Sequence, residues 1–104
     1  MLLADMGARV IRIDRPEPDG AAEDKRYPTR VLHRGRESLG LELTSRASID
    51  IVRTLVKHSD VLVEGFRPGV TERLGLGPDD CFAINERLVY GRMTGWGQAG
   101  PLAH

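Results

Sequence analysis

The stretch Ile49-Asp50-Ile51-Val52-Arg53-Thr54-Leu55-Val56-Lys57-His58-Ser59-Asp60-Val61-Leu62-Val63-Glu64-Gly65-Phe66-Arg67-Pro68-Gly69 decides the fold class. Its first part sets Ile49, Val52 and Val56, with Ile51 and Leu55 beside them, at helical spacing, the stripe of a helix packed by one face on a sheet. Thr44 or Ser45 is placed to cap that helix, and His58 near its end suits the negative end of the helix dipole. Past Ser59-Asp60 the pattern changes to Val61-Leu62-Val63, a short apolar run that predicts a buried strand. The turn Gly65-Phe66-Arg67-Pro68-Gly69 leads into a short helix from Val70 to Leu74. A Gly75-Leu76-Gly77-Pro78 break, a helix from Asp79 to about Arg87 and a last strand opening at Leu88-Val89-Tyr90 complete this half.

Upstream, Leu39, Leu41 and Leu43 alternate with Ser38, Gly40 and Glu42, the period-2 pattern of a strand with one buried face. Val10, Ile11 and Ile13 predict a buried strand ending near Asp14, and Met1 to Ala8 reads as the last turns of a helix with Gly7 as its stop. Strands alternating with helices at this spacing indicate an α/β fold with a mainly parallel sheet and flanking helices. Such sheets bind ligands beyond the carboxyl ends of their strands, here Asp14-Arg15, Leu43-Thr44, Glu64 to Arg67 and Arg92 to Gly97.

The chain has 104 residues, with 15 Lys and Arg against 15 Asp and Glu and 40% hydrophobic residues, the composition of one globular domain. An acid at Asp5 interrupts the first apolar residues, so the sequence predicts neither an export signal nor a membrane span, and a cytoplasmic location. The lone Cys81 makes no internal disulfide and has no metal-ligand spacing around it, so it reads as a small half-buried side chain. Lys25, Arg26, Arg30, Arg34 and Arg36 form one basic stretch inside a long Pro/Gly-rich connection; neutral charge and 5% aromatic residues speak against nucleic-acid binding.

Gly95-Trp96-Gly97-Gln98-Ala99-Gly100 spells G-x-G-x-x-G after a strand, but Pro101 comes next, where a dinucleotide site needs a helix N-terminus, so it reads as a Gly-rich loop. Glu64 to Leu74 joins a strand end, a Pro-Gly turn, a helix start and the pair Arg67 and Arg73. That pattern suits an anion site and equally a plain connection with a solvated arginine pair. His33, His58 and His104 stand alone, no carboxylates pair recognisably, and no catalytic machinery emerges from spacing.

Four ordered blocks carry a resemblance that runs from end to end. They are Leu3 to Pro16 (Leu3-Ala4-Asp5-Met6-Gly7-Ala8-Arg9-Val10-Ile11-Arg12-Ile13-Asp14-Arg15-Pro16), Arg34-Gly35-Arg36 to Leu43, Asp60 to Val70, and Arg92-Met93-Thr94-Gly95-Trp96-Gly97-Gln98-Ala99-Gly100-Pro101. With them the chain resembles the N-terminal part of the family III CoA-transferases (CaiB/BaiF-type). Gly69 to Pro78, with Met93 and Trp96, resembles the α-methylacyl-CoA racemase branch more than the formyl- or carnitine-type transferases.

The resemblance implies a Rossmann-like fold and a partial CoA-binding α/β domain over 1–104, lacking the family's first strand and everything after the Gly-rich loop. It implies coenzyme A contacts at Arg15, at Leu41, Glu42, Leu43 and Thr44, and at Arg67 and Arg73. Thr44 stands where the family often has Lys. CoA enters as part of an acyl-CoA thioester substrate, with no prosthetic group and no metal. The racemases use a His in a Gly-His-Asp sequence and a later Asp as their two bases; His104 lacks those neighbours and takes no such role, so the chain is expected to be inactive alone. The resemblance also implies an interlocked homodimer or association with a longer homologue. A CoA-transferase and a non-catalytic CoA-binding or dimer-completing module remain the alternatives.

Overall fold

The computed structural model describes residues 2–16 and 34–103. They fall in two compact units, Met1–Glu42 and Leu43–His104, each with its own pair of parallel strands. The connection 17–33, with Lys25, Arg26, Arg30 and His33, and also His104, lie outside the described residues.

In the first unit helix α1 (Leu2–Asp5) closes where Gly7 predicts: Gly7 N–H donates to Ala4 O and Ala8 N–H to Leu3 O. Strand β1 (Val10–Asp14) pairs in parallel with β2 (Arg36–Gly40), from Val10 opposite Arg36 to Asp14 opposite Gly40. Strand β2 therefore lies upstream of the Leu39-to-Leu43 alternation. Leu41 N–H makes one more bond, 2.8 Å, to Asp14 O, but Pro16 then offers no N–H, and its Cα would lie 3.4 Å from a Cβ on Gly40. Beyond that point Leu41 is buried, and Leu43-Thr44 form a turn rather than a strand end. Val10 and Ile13 are half-buried and Ile11 is exposed, so β1 is less enclosed than its apolar run predicts. Two arginine forks brace this unit, Arg9 on Glu37 and Arg34 on Asp5; each guanidinium lowers its partner's carboxyl from the ordinary value.

In the second unit α2 (Arg46–Lys57) follows Ser45, which occupies the N-cap without a side-chain cap bond. Val52 and Val56 bury its stripe, Ile49 and Leu55 are half-buried, and Ile51 faces outward. His58 takes the C-cap. Strand β3 (Val61–Glu64) pairs in parallel with β4 (Val89–Arg92), from Val61 opposite Val89 to Glu64 opposite Arg92. The run Val61-Leu62-Val63 is not fully buried: Leu62 turns inward while Val61 and Val63 stay exposed, as strand alternation requires when one face is covered.

Between those strands lie α3 (Val70–Arg73) and α4 (Pro78–Ile84). Gly75 at φ 76° lets the chain reverse after α3, with Leu76 N–H donating to Thr71 O at 2.8 Å, which delivers Leu76 to the core. There it joins Val52, Val56, Leu88 and Cys81; Cys81 is wholly buried rather than half-buried, its Sγ donating to Leu76 O, and burial pushes its thiol up. Helix α4 ends at Ile84, short of Arg87. Asn85 leaves the helix and donates Nδ2 to Val56 O at 3.0 Å and Ser59 O at 2.8 Å, closing the open carbonyl end of α2.

Candidate functional site

The second unit holds a cavity of about 240 Å³ lined by Leu43, Thr44, Arg46, Ile49, Arg73 and Leu74. Leu43 and Thr44 come from the turn that enters α2, and Arg46 and Ile49 from its first turn. Arg73 and Leu74 come from the end of α3. The Arg73 side chain folds back over the start of its own helix, where a Cβ on Gly69 would sit 3.1 Å from Nη1.

Among the described residues the guanidinium groups of Arg9, Arg12, Arg34, Arg53 and Arg92 are held by carboxylates or a backbone carbonyl. Those of Arg46 and Arg73 are held by neither. Two unpaired cations, a hydroxyl and apolar walls with no carboxylate among them make a place for an anion.

Of the residues the sequence assigned, the structure brings Leu43, Thr44 and Arg73 together in this cavity. Arg67 lies on the exposed turn between β3 and α3, its carbonyl accepting from Val70 N–H, and is not part of the lining. Arg15 and Glu42 are exposed and Leu41 buried, all in the first unit. Helix α3 has only four residues, so it offers little dipole for an anion.

Sequence reasoning missed Arg46. The available signal was a cation in the first turn of a helix, where it opposes the positive end of the dipole.

Also missed was the network at the carboxyl ends of β3 and β4. Arg92 Nε donates to Glu64 Oε1 at 2.8 Å, Nη1 to Glu72 Oε1 at 2.8 Å, and Nη2 to Glu72 Oε2 and Thr71 Oγ1, each at 3.1 Å. The Arg92 guanidinium and the hydrogen bonds on its carboxylate hold Glu72 down to about 2, and the same contacts raise Arg92. Glu64 is buried, and its other oxygen accepts Phe66 N–H at 2.7 Å, so this carboxylate sets the path of the Gly65-to-Gly69 turn. A second cavity of about 500 Å³ opens beside the network, lined by Glu72, Gly77, Pro78, Asp79, Asp80 and Arg92. Its excess of acids suits no anion.

No cluster of His, Cys, Asp and Glu among the described residues is set to hold a metal, and no described helix is long and apolar enough to cross a membrane. The loop Gly95 to Gly100 is exposed and runs into a turn rather than a helix, as Pro101 predicts.

Two pairs of parallel strands, with α3 and α4 between β3 and β4, make this an α/β segment. The model of CoA-transferase family III matches residues 1–104, and the chain belongs to that family. It is 47% identical over 100 residues to α-methylacyl-CoA racemase of Homo sapiens, covering 96% of this chain and 24% of that protein. It is 42% identical over 113 residues to acetyl-CoA:oxalate CoA-transferase of Acetobacter aceti, covering 99% of this chain and 28% of that protein. The crystal structure of a mutant of Rv3272 from Mycobacterium tuberculosis superposes with a TM-score of 0.84 at 36% identity, over 96% of this chain and 29% of that one. The chain thus spans about a quarter of the length of the curated relatives it matches.

Proposed function

We propose that the chain is the CoA-thioester-binding segment of an α-methylacyl-CoA racemase-like protein, which epimerises 2-methylacyl-CoA by removing and returning the α-proton. The observation that carries this reading is the convergence of Leu43, Thr44 and the unpaired Arg73 on one carboxylate-free cavity. Arg67 on the exposed turn of the same unit is a further candidate contact, and Arg15, Leu41 and Glu42 are carried as CoA contacts by the family resemblance alone. The 47% identity to the human racemase favours epimerisation over group transfer.

Epimerisation needs an acid and a base on opposite faces of the α-carbon, with donors for the enolate oxygen. No residue of this chain carries the pattern of those bases, so its share is binding and orientation. Saturating CoA is expected to raise the melting temperature, because a ligand that binds only the folded state stabilises it. Incubation with a 2-methylacyl-CoA in heavy water is expected to leave the α-proton in place. Deuterium incorporation by the chain would contradict the assignment of binding without proton transfer, and an unmoved melting temperature would contradict binding itself.

A transferase of the same family is the second reading, favoured by the 42% identity to the oxalate enzyme. Acyl exchange between a CoA thioester and a free carboxylate, catalysed by the longer protein that carries this segment, would establish it.

A further inference from the structure

We infer that Arg92 is a positioning residue for CoA binding, which holds Arg73 in place through Glu64 and Glu72 without touching the ligand itself; the inference rests on the CoA-binding function proposed above. Arg73 has two anchors. Its backbone belongs to α3, and its guanidinium folds back over Gly69, with Nη1 3.1 Å from where a Cβ would stand. A helix of four residues has little stability of its own, so both anchors have to be held from outside.

Arg92 reaches both of them from the end of β4. Its Nη1 and Nη2 form a fork on Glu72, the residue before Arg73, and Nη2 also donates to Thr71 Oγ1, which ties α3 to the strand. Its Nε donates to Glu64 Oε1 while Glu64 Oε2 accepts Phe66 N–H, which ties the turn ending at Gly69 to the same guanidinium. The Tyr90 ring lies 5.8 Å from Arg92 Cζ and is fixed in turn by its hydroxyl, which donates to Leu76 O at 2.7 Å. Every nitrogen of the guanidinium is thus engaged within the fold and the side chain is only 18% exposed, so Arg92 acts through Arg73 rather than on a phosphate.

The test is calorimetric titration of the full chain with CoA at neutral pH, below the melting temperature of each variant, with folding checked by circular dichroism. Glu72→Gln keeps the size of the side chain and breaks the charged fork. By charge alone, removing a carboxylate beside Arg73 would tighten an anionic ligand, whereas loss of positioning weakens it. The expected result is CoA binding weakened about threefold or more. Arg92→Lys can pair with one carboxylate but cannot form the fork, and it is expected to weaken CoA less than Arg92→Met. Arg92→Met combined with Arg73→Ala is expected to bind CoA about as well as Arg73→Ala alone, because the group being positioned is gone. Where Arg92→Met does not fold, Glu72→Gln decides. Unchanged or tighter binding in Glu72→Gln, or losses that add in the double variant, overturns the role of Arg92 and leaves CoA binding in place. A folded wild type that binds no CoA overturns both.

Discussion

Glu64 and Arg92 face each other as the last register pair of β3 and β4, and the guanidinium Nε donates to the carboxylate at 2.8 Å. The Glu64 side chain is 5% exposed, whereas the Arg9–Glu37 fork of the first unit is 75% and 57% exposed. Removing the cation from a buried carboxylate leaves an uncompensated charge, while an exposed pair loses little. Arg92→Leu is therefore expected to lower the melting temperature clearly more than Arg9→Leu. Equal shifts in thermal melts would show that the buried pair has no special weight.

Glu72 provides a pH dependence whose sign is fixed. Its pKa in the folded chain is about 2 against an ordinary 4.5, so the unfolded chain takes up a proton first as pH falls. The stabilisation is present above about pH 4.5 and is lost progressively toward pH 2. Glu72→Gln is expected to flatten melting temperature against pH in that window and to leave the profile above it parallel. An unchanged slope below pH 4.5 would contradict the Arg92 contact.

Asn85 ties the end of α4 to the end of α2 through two bonds from one amide nitrogen. Asn85→Ala leaves Val56 O and Ser59 O without that donor and is expected to cost about 1–3 kcal/mol of unfolding free energy in urea titrations. Asn85→Asp is expected to cost more, since it sets a carboxylate against the same carbonyls.

Gly77 explains why the break before α4 carries a glycine: a Cβ there would lie 2.9 Å from Glu72 Cγ and 3.2 Å from Glu72 Cα. Gly77→Ala is expected to displace Glu72 from Arg92, seen as a lowered melting temperature and a weaker acid transition. An alanine variant with an unaltered acid profile would show that the side chain moves aside without disturbing the pair.

The elements legible in the sequence were those whose signal is local. The stripe of Val52 and Val56 and the chain reversal at Gly75 need only their own neighbours to be read. Strand β2 ends earlier than the Leu39-to-Leu43 alternation predicts because its end is set by Pro16, two residues past the partner strand, a constraint absent from that alternation. Helix α4 was drawn too long because Asn85 serves α2, many residues away. In the candidate site Thr44 and Arg73 line the cavity and are among the contacts that the family resemblance implies. Arg46 and the Glu64–Arg92–Glu72 network depend on which side chains meet in space, and spacing along the chain does not carry that.

Arg67 and Arg73 separate two versions of the binding account. Each is expected to contribute about 1.5–3 kcal/mol to CoA affinity if it meets a phosphate through charge-assisted bonds. Arg73 lines the cavity and Arg67 lies outside its lining, so the two losses are expected to add in the double variant. Unchanged dissociation constants in both single variants would retire both assignments.

The most direct measurement is a calorimetric titration of the folded chain with CoA at low and at high salt. The account predicts saturable binding that weakens as salt rises, because unpaired arginines meet phosphate. A folded chain that releases no binding heat and shows no saturation at either salt concentration would contradict it.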